Sequence, residues 1–159
     1  MADANPKTVP NISAVVTDVV NSIERERERE IIARRFGLFD RRETLEQIGE
    51  LLGITRERVR QLEKAVVTKL KASAERGEFS ELLKLQELFV QELHSMGMAA
   101  RVADLSGRLT KDNSRIDQAQ ISFLAGLCPK LIVLDENDYF YHAVAIASEH
   151  EKADLKEQV

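Results

Sequence analysis

A chain of 159 residues, 43% hydrophobic and 31% charged, holds enough apolar material for one medium domain or two small ones. Low aromatic content, no apolar run of membrane-spanning length and an N-terminus without the basic-then-apolar layout of a signal peptide argue against membrane insertion and export. The net charge of −4 hides an asymmetry, because residues 1–76 carry 15 basic and 13 acidic side chains while residues 77–159 carry 8 and 14. Nucleic acid would be drawn to part of the first half and repelled by much of the second, so the two halves suit different partners. The single cysteine, Cys128, excludes an internal disulfide and a Cys-rich zinc site. Placed before Pro129 at the end of an apolar segment, it reads as core packing.

Residues 1–11 (MADANPKTVPN) are polar with prolines and read as a disordered N-terminus. Residues 12–23 (ISAVVTDVVNSI) are apolar at helical spacing and are expected to pack on the core that follows. Residues 24–30 (ERERERE) alternate strictly in sign, which on a helix sets opposite charges at i,i+3 but like charges at i,i+4. A solvated helix start is the expectation. Ile31, Ile32 and Phe36 would then face the core, and Gly37 would end the helix. In residues 44–54 (TLEQIGELLGI), Thr44 and Gln47 have capping-box spacing, Leu45, Ile48 and Leu52 make a short apolar stripe, and Gly53 sits where a left-handed C′ residue is expected. Thr55 is a natural N-cap for the next helix, with Glu57 in its first turn. Val59, Leu62, Val66 and Leu70 form an apolar stripe, and Arg56, Glu57, Arg60, Gln61 and Lys64 lie on roughly the opposite side. Residues 55–71 hold six basic and two acidic side chains. Arg suits guanine, Gln adenine and Glu the amino group of cytosine, so this face has the chemistry of base reading. An ordinary solvated face, or an αα-hairpin inside a bundle, is the plain alternative. It does not account for Arg and Gln gathered at the outward N-terminal positions of the second helix of a helix-turn-helix.

These residues carry a resemblance. ERERE-II-A-RRFGL (residues 26–38), TLEQIGELLGIT (44–55) and RERVRQLE (56–63) resemble region 4 of the sigma-70 family, the promoter-recognition module of bacterial RNA polymerase, over about a third of the chain. The resemblance implies that Arg56, Glu57, Arg60 and Gln61 read a minus-35-type promoter element. Thr44, Thr55, Arg58 and Lys64 become candidates for DNA-backbone contacts. It also implies that the first two helices, with part of the last, touch the flap of the polymerase β subunit. Thr68 stands where the family often has a basic residue, which removes one expected phosphate contact. Only 23 residues precede Glu24, too few for the domain that melts the minus-10 element, so the expectation is a free-standing region 4 attached to something else.

Residues 72–80 (ASAERGEFS) are expected to be a linker, either a loop or a frayed continuation of the reading helix. Beyond them, residues 81–96 read as a helix with Leu82, Leu85, Phe89 and Leu93 on one face and Gly97 after it. A second helix is expected over residues 100–109, with Val102, Leu105 and Leu109. A third, over 116–127, is preceded by Ser114 and Asp117 at capping spacing. Two β-type runs, 131–134 and 139–142, flank Asp135, Glu136, Asn137 and Asp138, which favour a hairpin turn. Three helices and a hairpin describe a winged helix. Residues 81–147 resemble, weakly and through element order, the closing hairpin and domain context, the HARE-HTH type that also occurs in the acidic δ subunit of some bacterial polymerases. The third helix has no Lys or Arg over residues 116–127 and the turn holds three acids, so a protein partner suits this half better than DNA. Tyr139, Phe140 and Tyr141 offer aromatic contact surface, with strand alternation turning at least one of them to the core. Residues 148–159 form a charged tail.

His94, His142 and His150 sit in unrelated segments without ligand spacing, and no P-loop, dinucleotide fingerprint or nucleophile elbow occurs. The expectation is therefore a mainly α, non-enzymatic protein without cofactor or metal, cytoplasmic, nucleoid-associated and bacterial in type. A region 4-like helix-turn-helix bundle (12–71) precedes a winged helix (81–147). Its partners would be double-stranded promoter DNA, the polymerase β-flap and a protein bound by the acidic half, and not a membrane. The leading function is sequence-specific transcription regulation. The other is a polymerase-binding adaptor or sigma competitor with little reading of its own.

Overall fold

The computed structural model describes residues 11–137 and 140–147. In chain order its elements are α1 (Ile12–Asn21), α2 (Glu26–Phe36), α3 (Leu45–Leu52), α4 (Arg56–Glu75), α5 (Ser80–Ser95), β1 (Ala99–Arg101), α6 (Val102–Leu109), α7 (Arg115–Leu127), β2 (Leu131–Asn137) and β3 (Phe140–Ile146). The chain is mainly helical, a helix-turn-helix bundle followed by three helices and a small antiparallel sheet, as expected. Residues 1–10 of the expected disordered N-terminus and the charged tail, with Tyr139 and His150, lie outside the described residues, as do the side chains of Phe140, Tyr141 and His142, while Asn11 is ordered as the N-cap of α1 and accepts the Ala14 N–H at 3.0 Å.

The helix-turn-helix follows from local chemistry. Thr44 Oγ1 accepts the Gln47 N–H at 3.1 Å and Gln47 Oε1 accepts the Thr44 N–H at 2.8 Å, closing the capping box of α3. Gly53 takes φ 73°, a left-handed C-cap that turns the chain into α4, which Thr55 opens by accepting the Arg58 N–H at 3.0 Å. Ile31, Ile48 and Val59, all fully buried, form a core of their own, with Leu45, Leu52, Ile54 and Leu62 packed around it. Gly49 is what lets α3 approach the turn: a Cβ there would lie 2.7 Å from the Ile54 carbonyl oxygen. That contact is backbone and cannot swing aside. Gly49→Ala is thus expected to destabilise by about 1–3 kcal/mol, overcoming the roughly 1 kcal/mol that Ala gains over Gly in a helix. A urea midpoint that rises in this variant would contradict the close approach.

The second half begins after α4 continues through to Glu75 and Gly77 takes φ 75°. The expected helix over 100–109 is shorter, because Ala99–Arg101 form strand β1 and pair antiparallel with β3. Nothing in Ala-Ala-Arg signals a strand; the ladder, with Ala99 opposite Ala145 and Arg101 opposite Ala143, imposes it. The strand order is β1-β3-β2, and Asp135 to Asn137 extend β2 instead of forming the turn, past a register shift after Leu134. Helix α7 starts one residue earlier than expected, at Arg115, behind a Ser114–Asp117 capping box.

The larger core takes residues from both sides of the 72–80 segment. Val15, Val16 and Val19 of α1 and Ile32, Val66 and Leu70 join Leu85, Phe89, Leu105, Ile121, Leu124 and Val144 in one cluster. This corrects three expectations: α1 joins the main core and not the helix-turn-helix core, Ile32 joins it too and parts from Ile31, and Phe36 turns toward α7. The Phe36 and Phe123 rings lie 5.1 Å apart at 51°, and the Gln120 side-chain amide donates to the Leu38 carbonyl at 2.8 Å. Cys128 is buried in the same core, donates to the Leu124 carbonyl and has its thiol pushed up to about 12 by burial, which leaves it unreactive.

Candidate nucleic-acid interface

Helix α4 sorts its side chains by face. Val59, Val66 and Leu70 are buried, and Arg56, Glu57, Arg60, Gln61 and Lys64 are all exposed on the other side. Arg58 and Thr68 are exposed as well. Arg56, Glu57, Arg60, Gln61 and Lys64 therefore share one solvent-facing surface, Arg58 points away about 160° round the helix from Arg60, and Thr44 and Thr55 are exposed at the N-termini of α3 and α4. Both threonine oxygens already accept a backbone N–H, yet each hydroxyl proton remains available to donate to a phosphate.

The charges on this surface are partly tied together. Arg60 Nε shares its N–H between the two Glu57 carboxylate oxygens, at 2.8 and 3.1 Å, and Nη2 donates to Oε1 as well, so that two guanidinium donors engage one carboxylate on the outer face. Hydrogen bonding from Arg60 keeps the Glu57 carboxyl below its ordinary range, and the same contact raises the Arg60 guanidinium. Glu57 is therefore an anion at neutral pH, and an acceptor rather than a donor. Arg56 reaches back 3.5 Å to Glu46 on α3, and Arg58 lies 3.5 Å from Gln61, both loose enough to exchange for a ligand. No counter-charge is recorded for Lys64 among the described residues.

A structural pair beneath this surface escaped the sequence reading. Arg35 Nε meets Glu63 Oε1 at 2.8 Å, with both side chains four-fifths buried or more, and clamps α2 to α4. Burial raises the Glu63 carboxyl, against the pull of Arg35. Arg34 similarly ties Glu30 and Glu43, stitching α2 to the segment before α3. Glu63 sits within the motif RERVRQLE, but spacing alone gave no sign that it faces inward on a partner 28 residues away.

The second half offers no comparable surface on its third helix. Ala119 to Ala125 of α7 are buried without interruption, as is Leu127, because α1, α2, α4, α6 and β2 all pack against the helix. Its first turn, at Arg115 and Ile116, is exposed, but the rest leaves no extended face to lay in a groove.

Comparison with known proteins bears on the first half. Residues 25–72 match the family model for sigma-70, region 4, under a third of the chain. The chain is 52% identical over 46 residues to the RNA polymerase sigma factor sigB of Arabidopsis thaliana, covering 28% of this chain and 8% of that protein. It is 42% identical over 64 residues to the RNA polymerase sigma factor RpoD of Helicobacter pylori, covering 39% and 9%. With the sigma factor SigA of a Bacillus species the identity is 46% over 55 residues, covering 34% and 14%. The chain spans less than a sixth of the length of each of these relatives. No described helix is long and apolar enough to cross a membrane.

Proposed function

We propose that this chain is a DNA-binding transcription regulator that lays α4 in the major groove of promoter-like, minus-35-type sequence and acts with RNA polymerase at initiation. Arg56, Glu57, Arg60 and Gln61 read base edges, and Thr44, Thr55, Arg58 and Lys64 hold the phosphates. The observation that carries the reading is the continuous exposed face of α4 inside the segment that matches sigma-70 region 4. The chain is read as two functional parts, 12–71 for DNA and 81–147 as a HARE-HTH-type winged helix. With α7 enclosed, the acidic second part suits a protein partner and the shaping of the first part better than a second groove. A cytoplasmic, nucleoid-associated, non-enzymatic role follows from this reading.

The adaptor alternative needs a polymerase flap to seat on the first two helices and part of the last. Within the matched segment, Phe36 of α2 and Val66 of α4 lie in the core shared with α7, so a flap element seated on those faces has to displace α7. This favours DNA reading as the primary activity. Fluorescence anisotropy with a minus-35-type duplex and a scrambled duplex over a salt series tests it. The expected result is at least a tenfold preference for the promoter duplex, with affinity on both falling as salt rises. Equal, weak and steeply salt-dependent binding to both would overturn the specific reading, and retention of core polymerase in a pull-down would then support the adaptor.

A further inference from the structure

Helix α7 is enclosed except at its first turn, and that turn opens on a groove along the seam between the two halves of the chain. Arg115 lines this groove from α7, and Arg41 and Thr44 line it from the segment that leads into α3. In a helix-turn-helix the first of the two helices crosses the DNA backbone. A phosphate held by Thr44 at the N-terminus of α3 therefore sits at the mouth of the groove, beside the exposed start of α7.

We propose that Arg115, with Arg41 beside it, contacts the DNA backbone next to the phosphate held by Thr44. The second half then adds affinity without reading sequence. The inference rests on the DNA-binding reading of α4 and extends its footprint across the seam. Two features of the charge support it. Of the three arginines in residues 77–159, Arg101 meets Asp104 at 3.5 Å and Arg108 meets Glu92 at 3.7 Å. Arg115 is exposed and has no carboxylate partner among the described residues. It is also the first residue of α7, where the helix dipole favours an acid and opposes a cation. Asp117, the acid of that turn, is taken up by the Ser114 N–H at 3.0 Å. An unpaired cation in this place works against the fold, and a phosphate beside it removes the conflict. The second feature is the surrounding groove. Glu43 is engaged by Arg34 at 2.6 Å and Glu63 by Arg35 at 2.8 Å, and Arg42 is already partnered. Arg41 and Arg115 are left facing one further carboxylate, Asp40, among the residues of the groove.

The test uses the full chain in fluorescence anisotropy with a minus-35-type and a scrambled duplex, each over a salt series. Arg115→Ala is expected to weaken both duplexes alike and to reduce the slope of log K against log salt by about 1, and Arg41→Ala with Arg115→Ala by about 2. The ratio of the two affinities should stay within about twofold of the parent, since phosphate contacts carry no sequence information. Arg115→Lys keeps the charge and should keep the slope. Asp40→Asn should tighten both duplexes. Arg108→Ala makes the same change in net charge away from the groove and should leave the slope unchanged. An equal effect of Arg108→Ala and Arg115→Ala would reduce the contact to net charge and overturn the proposal. An unchanged slope in Arg115→Ala would overturn it too, and with specific binding intact in the parent it would leave the reading of α4 standing. A parent without salt-dependent binding to either duplex would remove both readings together.

Discussion

Phe123→Ala is expected to cost about 3–5 kcal/mol of folding stability, a large part of the roughly 5–15 kcal/mol that a domain has in total. Phe123 is 4% exposed and its ring meets Phe36 at 5.1 Å, so truncation removes both a buried aromatic surface and an aromatic pair. A cavity of about 370 Å³ lined by Phe123 lets water reach the void, which moves the expected value toward the lower end of that span. Where the loss shows is as informative as its size. Phe36 belongs to the segment that matches region 4 and Phe123 to α7, so a shared core predicts that both halves lose stability in one urea transition with an unchanged slope. A cost under about 1 kcal/mol, or two separate transitions, would mean that the halves fold independently and meet only loosely.

The same seam marks the limit of what the sequence discloses. Elements α3 and α4 were legible because their signals are local: Thr44 with Gln47, Gly53, Thr55 and the Val59–Val66–Leu70 stripe are each read within one or two turns. Periodicity says which face of a helix is apolar, but not what covers it. For that reason Val15, Val19, Ile32 and Phe36 read as part of the helix-turn-helix core, although all four lie in the core that includes α7. Helix α7 did carry a readable sign. Residues 119–127 (AQISFLAGL) are apolar or small almost all round, the pattern of a helix enclosed on every side. Strand β1 carried none, since two alanines and an arginine become a strand only when β3 is there to pair with them. The candidate readers were legible as residue types at helical spacing. The bidentate pairing of Glu57 with Arg60 depends on rotamers, which spacing does not fix.

That pairing shapes what a mutation in the reading face will show. Arg60→Ala together with Gln61→Ala is expected to weaken binding to the minus-35-type duplex by about 30- to 20,000-fold, from roughly 1–3 kcal/mol for each base contact. Pure base readers would leave the scrambled duplex unaffected. Arg60 is more than that, because removing it unpairs the Glu57 carboxylate and turns an anion loose against the phosphates. Part of the loss should therefore appear on every sequence. Adding Glu57→Gln separates the two contributions: the general loss should recover on the scrambled duplex, while discrimination between duplexes stays lost. Lys64→Ala supplies the opposite pattern, a near-uniform weakening with the slope of log K against log salt reduced by about 1. If Arg60→Ala behaves like Lys64→Ala even with Glu57→Gln present, Arg60 is a phosphate contact, and base reading on α4 falls to Arg56, Glu57 and Gln61. The anisotropy series in parent, Arg60→Ala, Glu57→Gln and double variant forms a closed cycle, and its coupling energy measures how far the ion pair and the base contact draw on the same guanidinium.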